Sequence, residues 1–160
     1  MYSPVHASTG LMLATIMPNP AAAFLVGVVS HYLFDAIPHG DMEVGPWMIS
    51  KDPFKRLLLV EIFDLGIAAA MVIFLVGRYP TLPLSTLLAG TIGAILPDLA
   101  WGGEFVLRKF KLLPDWLRTI LDLHGRWHTW IHAKHHYDMP FLAGLAYQVA
   151  LVLIVWLIYL

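Results

Sequence analysis

The stretch FKRLLLVEIFDLGIAAAMVIFLV, residues 54–76, decides the fold class of this chain. It supplies the roughly 20 consecutive apolar residues that an α-helix needs to cross the hydrocarbon core of a bilayer. Only two acids, Glu61 and Asp64, interrupt its apolar part. Ionisable groups within a span usually face the protein interior. The stretch therefore predicts a transmembrane helix with one face turned toward other helices.

The composition of the whole chain agrees with this prediction. Hydrophobic residues make up 59% of the 160 residues and charged residues only 13%. A soluble domain of this length carries about a quarter charged residues, so much of this surface is expected to face lipid. The formal net charge of −1 gives no sign of a nucleic-acid partner.

Other apolar segments flank this helix on both sides. The tripeptide Pro18-Asn19-Pro20 separates the first two and predicts a tight helical hairpin. We expect an all-α, polytopic membrane bundle with about four to five membrane helices, forming one domain over residues 1–160. The predicted helices besides 54–76 are 4–17, 20–37, 82–99, an amphipathic stretch 104–113, a His-rich helix 123–136 and a final span 140–160.

The distribution of basic residues predicts the orientation of the bundle. Alternating spans place nine of the ten Lys and Arg residues on the side that holds the N-terminus, which we name the basic side. Arg78 alone lies on the far side. Because Lys and Arg accumulate on the cytoplasmic side, we expect an inner-membrane protein with a cytoplasmic N-terminus. Segment 4–17 is short for a full span, and the hairpin returns to the basic side whether or not it crosses.

A faint internal repeat relates residues 21–41 to residues 84–104. At a constant offset, Gly27 matches Gly90 and Asp35 matches Asp98. Duplication and chance similarity between apolar helices both explain the match.

Ionisable residues inside the apolar segments are the strongest functional signal, because such groups are costly in a membrane. The predicted topology puts them at one depth, near the basic side. Spacings of four and of three place two pairs on common helix faces. We expect these residues to converge: His6, His31, Asp35, Glu61, Asp64 and Asp98.

The His-rich helix concentrates imidazoles on one face. At about 100° per residue its five histidines fall within an arc of roughly 120°. They are His124, His128, His132, His135 and His136. Histidines four apart can hold one metal ion from a single helix. Since the chain has no cysteine, we predict an imidazole–carboxylate site for Zn²⁺, with Mn²⁺ or Fe²⁺ as alternatives and one or two ions bound.

Simpler roles stay open for these residues. Histidines at a membrane boundary also bond water or lipid headgroups, acids also pair with basic residues, and Asp98 after Pro97 also suits a helix cap. The pattern assigns no role to His39 or Asp41, nor to the last three histidines of segment 123–136.

The chain resembles the small bacterial inner-membrane metal-dependent hydrolases of the YdjM-like group. The matching motifs are VHASTG with His6, ILPDL with Asp98, and HGRWHT with His124 and His128. The family usually has a second Asp where this chain has Ala100, and His-Arg-Gly where this chain reads His-Gly-Arg. The resemblance implies a metal-dependent hydrolase held in the membrane.

These observations lead to one hypothesis and two rivals. The hypothesis is a membrane-embedded, metal-dependent hydrolase that acts on a lipid phosphoester or ester at the cytoplasmic boundary. Glu61 or Asp64 would serve as general base or as a second-metal ligand. The first alternative is a metal-ion or proton transporter, although the far side offers few polar residues for an ion path. The second alternative is a non-catalytic protein whose polar cluster holds the helices together. The predicted metal ligands are His6, His31, Asp35, Asp98, His124 and His128.

Overall fold

The computed structural model describes residues 1–40, 52–78, 81–133 and 139–159. These residues are predominantly helical, and none of them forms a strand. The predicted all-α membrane bundle is therefore confirmed. The described helices are α1 (Ser3–Ala14), α2 (Pro20–Asp35), α3 (Pro53–Arg78), α4 (Leu84–Lys109), α5 (Asp115–Ala133) and α6 (Phe141–Tyr159).

Three of these helices, α3, α4 and α6, are long and apolar enough to cross a membrane. Helix α2 is apolar but shorter. Large apolar side chains such as Phe63 and Leu157 are exposed on the outside of the bundle. An exposed apolar surface of this kind is stable against lipid, so the chain has the architecture of a membrane protein.

Helix α1 lies in the middle of the bundle, where it packs against α2, α3, α4 and α6. Nine of its twelve residues are buried. Most of them are small, which lets neighbouring helices approach closely on every side. At about 18 Å, α1 is shorter than the hydrocarbon core of about 30 Å. The short first segment is therefore a central helix surrounded by protein.

The predicted break between the first two helices is confirmed. Helix α1 ends at Ala14 and α2 begins at Pro20. The side chain of Asn19 accepts a 2.9 Å hydrogen bond from the Ala22 N–H, which satisfies a donor that the first turn of α2 leaves free. Proline suits the first helical position because its fixed φ is already helical.

Three glycines, Gly10, Gly27 and Gly90, bring α1, α2 and α4 into backbone contact, and we name them the glycine seam. A Cβ on Gly10 would lie 2.5 Å from the Gly90 carbonyl oxygen, and one on Gly27 would lie 2.9 Å from the Ala94 nitrogen. No side chain fits there, so the three helix axes are fixed relative to one another.

The glycine seam also fixes where the polar residues lie. His6 stands one turn before Gly10, and His31 stands one turn after Gly27. Asp98 stands about two turns beyond Gly90 on α4. Helices locked at one point carry the residues one or two turns away to a common location.

The predicted end of the fourth helix at residue 99 is wrong. Helix α4 continues through Pro97 as far as Lys109 and includes most of the stretch predicted as a separate amphipathic segment. Proline usually ends a soluble helix, but neighbouring helices make it tolerable in a membrane bundle. Asp98 is consequently an interior residue of α4 and not a cap at its end.

The two ends of the bundle differ in chemistry. At the far end, apolar side chains form a dry core of Leu11, Ala14, Ala23, Leu75 and Leu87. At the opposite end, α5 packs against α4 and α2. Arg108 of α4 contacts Asp122 of α5 at 2.5 Å and Glu104 of its own helix at 2.7 Å. The His-rich helix therefore lies over the polar half of the bundle.

Candidate metal centre

Asp35, in the last turn of α2, is the fully buried centre of a polar site. Its Oδ1 lies 3.1 Å from His6 Nε2, and its Oδ2 lies 3.0 Å from His31 Nε2 and 3.5 Å from His128 Nε2. The amino group of Met1 also contacts Oδ1. A buried carboxylate needs partners of this kind, because an unpaired charge in the protein interior is strongly unfavourable.

Asp98 brings a second carboxylate from α4 to the same histidines. Its Oδ1 lies 3.3 Å from His128 Nε2 and 3.7 Å from His31 Nε2. Its Oδ2 lies 3.9 Å from His6 Nε2. The side chain of Asp98 is 26% exposed, whereas that of Asp35 is fully buried. The site is therefore closed around Asp35 and open beside Asp98.

His31 is held in the orientation of a metal ligand. Its Nδ1–H donates a 2.8 Å hydrogen bond to the carbonyl oxygen of Ala94. A carbonyl only accepts, so the proton of the neutral ring lies on Nδ1 and Nε2 carries a lone pair. Nε2 points to the carboxylates but makes no hydrogen bond of acceptable geometry within the described residues. Metal-binding histidines are commonly fixed by a backbone carbonyl in this way.

His128, on α5, brings a further imidazole to the carboxylates of Asp35 and Asp98. Burial by itself lowers the pKa of His128, but its close contacts with the carboxylates of Asp35 and Asp98 outweigh burial and raise the pKa to about 9. Without a metal ion this imidazole is protonated at neutral pH and balances part of the carboxylate charge. A metal ion that binds here must displace that proton.

Four of the six predicted ligands therefore form one group, which we name the His/Asp cluster: His31, Asp35, Asp98 and His128. One ligand atom from each lies within 4.8 Å of all the others, and the group could hold a metal ion. With neutral imidazoles the two carboxylates carry two negative charges, and the Met1 ammonium group, which contacts Asp35 Oδ1, offsets one of them. Four nitrogen and oxygen donors without sulfur also match the preferences of Zn²⁺, Mn²⁺ and Fe²⁺.

His6 borders the His/Asp cluster from α1. Its Nε2 makes a 3.1 Å hydrogen bond with Asp35 Oδ1, and its ring centroid lies 4.1 Å from that of His31. A carboxylate only accepts, so the His6 Nε2 donates. This contact orients Asp35 and leaves the His6 Nδ1 as the ring atom with a lone pair.

His124 lies one turn before His128 on α5, with the two ring centroids 5.7 Å apart. It is outside the group of four. Both of its ring nitrogens are buried and have no hydrogen-bond partner in the described part of the chain. Burial and the neighbouring His128 lower its pKa, so the ring is neutral. A neutral imidazole with a free lone pair can accept a proton.

The two acids of α3 lie beside the cluster and differ in their contacts. Asp64 Oδ2 accepts a 2.8 Å hydrogen bond from the Ser3 N–H, which caps the first turn of α1. The carboxylate of Glu61 lies against Gly102 of α4, where a Cβ would be 3.2 Å from its Oε1. No ion pair with Lys or Arg is found for either acid among the residues that the structure describes.

His39 is the remaining histidine whose side chain the structure describes. His39 is buried, its Nδ1 donates to the Ile37 carbonyl at 2.6 Å, and its own carbonyl accepts from Gln148 of α6. Asp41, His135 and His136 lie outside the described residues, as does the side chain of His132.

A cavity of about 680 Å³ lies between α4 and α5. Trp101 and Phe105 line it from α4, on the same helix face as Asp98. Arg108 and Arg126 contribute guanidinium groups to its wall. Glu104 and Asp122 also line the cavity and pair with Arg108, so its wall combines aromatic surface with groups of both charges.

Comparison with known proteins adds no relative to this description. No family model matches the chain, and no curated protein or solved structure matches it either.

Two features of the site were not predicted from the sequence. The Ala94 carbonyl that orients His31 is a backbone group, and no side-chain pattern marks it. The glycine seam could have been predicted from the sequence, because Gly27 and Gly90 match in the internal repeat.

Proposed function

We propose that this protein is a membrane-embedded, metal-dependent hydrolase whose metal ion is held by His31, Asp35, Asp98 and His128. The observation that carries the proposal is the convergence of these four donors from α2, α4 and α5 within 4.8 Å. An ion in such a site supplies Lewis-acid activation of water at neutral pH. Zn²⁺ is the first choice, with Mn²⁺ and Fe²⁺ as alternatives.

The residues around the ligands have separate roles in this proposal. The Ala94 carbonyl fixes the tautomer of His31, and His6 orients Asp35 through the 3.1 Å hydrogen bond. Such supporting contacts raise metal affinity because they hold ligands in the binding geometry. His6 is therefore a positioning residue.

The general base is drawn from Glu61 and His124. Asp64, the second predicted base, is engaged with the Ser3 N–H and serves as a helix cap. Glu61 lies beside α4 near the cluster, and His124 has a free ring nitrogen within the described residues. A base of this kind takes a proton from water and typically contributes 10²–10⁴-fold to the rate.

The proposed substrate is a lipid phosphoester or ester at the membrane boundary. The cavity between α4 and α5 lies between the helices that carry Asp98 and His128, and the guanidinium group of Arg126 on its wall favours an anionic group. The far end of the bundle, in contrast, is filled by the dry apolar core around Leu11 and Leu87. An ion path across the membrane would have to cross this core, which favours hydrolysis over transport.

The test is hydrolysis by purified protein reconstituted in liposomes that contain a mixture of phospholipids. Mass spectrometry of the lipids should reveal a product that disappears with a chelator and returns with Zn²⁺ or Mn²⁺. Asp98→Asn should abolish it, whereas Asp115→Asn, which changes an exposed acid of α5 outside the cavity lining, should not. Product formation that is insensitive to the chelator would refute the metal-dependent mechanism, and metal-ion flux into the liposomes would favour transport.

A further inference from the structure

An open groove runs along the bundle between α3 and α6, with α1 as its back wall. It has a volume of about 880 Å³. In the described residues the Cα atoms of α3 and α6 do not come within 8 Å of each other, and α1 is the one helix whose Cα atoms approach those of α6 this closely. We name this feature the lateral groove.

The lining of the lateral groove is apolar. Phe63 and Ile67 line it from α3, and Val149 and Leu153 line it from α6. All four are more than half exposed, so the groove opens sideways where two membrane helices face lipid.

Polar lining atoms are already bonded within the protein. Asp64 Oδ2 accepts from the Ser3 N–H at 2.8 Å, and Gln148 Oε1 accepts from the Tyr2 N–H at 2.8 Å. The Gln148 amide also donates to the His39 carbonyl. These bonds leave little for a polar ligand to recognise, so the groove suits a hydrocarbon.

The length of the lateral groove matches one leaflet of a bilayer. Its lining extends from Leu59 to Met71 on α3 and from Phe141 to Leu153 on α6, which is about 18 Å of helix. Half of the hydrocarbon core is about 15 Å. Beyond the far end of the groove, the rings of Phe74 and Trp156 stack at 5.2 Å and close the gap between the helices.

A positive charge stands at the other end of the lateral groove. Lys55 is exposed and lies one turn before Leu59 on α3. Residues four apart share a helix face, so Lys55 lies on the face of α3 that carries Leu59, one turn beyond the lining of the groove. This arrangement complements an amphiphile with an anionic head and an apolar chain.

We infer that the lateral groove binds one acyl chain of a membrane phospholipid, with the lipid phosphate at Lys55. An empty slot in the hydrocarbon layer would forfeit the contacts of every lining atom, and water is unfavourable among apolar walls. An acyl chain is the molecule available at that depth. The site is separate from the His/Asp cluster, because none of the four cluster residues lines the groove.

The test uses full-length protein in liposomes containing a phospholipid with a photoreactive diazirine in its acyl chain. Labelling should concentrate on the groove-lining parts of α3 and α6. Val149→Trp should fill the groove and reduce labelling by roughly tenfold, equivalent to the contacts of about two methylene groups. Leu142→Trp, on the exposed surface of the same helix outside the groove, should leave labelling unchanged.

A second pair of variants guards against misfolding of the first. Val60→Trp, in the groove, should reduce labelling, whereas Ile62→Trp, two residues away on the exposed face of α3, should not. Lys55→Glu should weaken labelling by the phospholipid but not by an uncharged diacylglycerol with the same chain.

Three results would overturn the inference. The first is even labelling of all lipid-facing residues. The second is labelling that Val149→Trp and Val60→Trp leave unchanged. The third is conversion of a dimer to a monomer by these variants, which would assign the groove to a second copy of the chain. The measurement is made on wild type and on His31→Ala. Equal labelling of the two separates this site from the proposed hydrolase.

Discussion

The Nδ1–H of His31 donates a 2.8 Å hydrogen bond to the carbonyl oxygen of Ala94, 63 positions away in the sequence. The same offset relates Gly27 to Gly90, whose backbones touch, and Asp35 to Asp98, which share the His/Asp cluster. Residues matched in the internal repeat therefore meet in space. This pairing requires α2 and α4 to run parallel and in register. It also places the His/Asp cluster between these two helices.

Loss of a cluster ligand should remove the metal ion. We expect His31→Ala and Asp98→Ala to reduce metal content to background, because each removes one of four donors. Elemental analysis of purified protein measures this. Asp115→Ala changes an exposed acid of α5 outside the cluster and serves as control. Unchanged metal content in both cluster variants would end the metal-site proposal.

Replacement of His6 should have a smaller effect than loss of a ligand. If His6 only orients Asp35, His6→Ala should weaken metal binding by about 10–100-fold. A competition titration against a chelator of known affinity gives this ratio. Complete loss of metal from His6→Ala would instead make His6 a direct ligand, as the sequence predicted.

The two acids of α3 should respond differently to amide substitution. Asp64→Asn keeps an acceptor for the Ser3 N–H, so stability and activity should change little, whereas Asp64→Ala should cost about 0.5–2 kcal/mol. Glu61→Gln should lower hydrolysis by about 10²–10⁴-fold if Glu61 is the base. Thermal unfolding and product formation are measured on each variant. If the Asp64→Asn variant were stable but inactive, Asp64 and not Glu61 would be the general base.

The glycine seam should not tolerate a methyl group. Gly90→Ala would place a Cβ 2.5 Å from the Gly10 carbonyl oxygen, and such overpacking typically costs about 1–3 kcal/mol. Gly66→Ala is the matched control, because nothing lies within 4 Å of a Cβ there. It should be neutral or stabilise α3 by about 0.5–1 kcal/mol. Equal unfolding temperatures in detergent for both variants would contradict the close packing.

The predicted orientation can be tested with single cysteines, because the chain has none of its own. Asp115→Cys on α5 should react with a membrane-impermeant thiol reagent only from the cytoplasmic side. Thr81→Cys, between α3 and α4, should react only from the other side. Both positions are exposed. The reverse pattern in intact and opened cells would invert the topology.

The sequence by itself determined the class of fold and which polar residues could form a site. Long apolar runs leave few alternatives to membrane helices, and the cost of ionisable groups in a span marks His31, Asp35 and Asp98 without any structure. The alternation of spans also predicted a common depth, and four of the six predicted ligands do converge.

Only the tertiary structure decided which of these residues belong to the cluster and which of them orient the ligands. The sequence could not separate His128, which joins the cluster, from His124, because both occupy one helix face. It placed a helix end near Pro97, because the packing that keeps α4 continuous comes from other helices. The contacts that orient the ligands, from the Ala94 carbonyl to His31 and from His6 to Asp35, join helices far apart in the chain. Their geometry depends on the close approach at the glycine seam, which exists only once the three helices have packed.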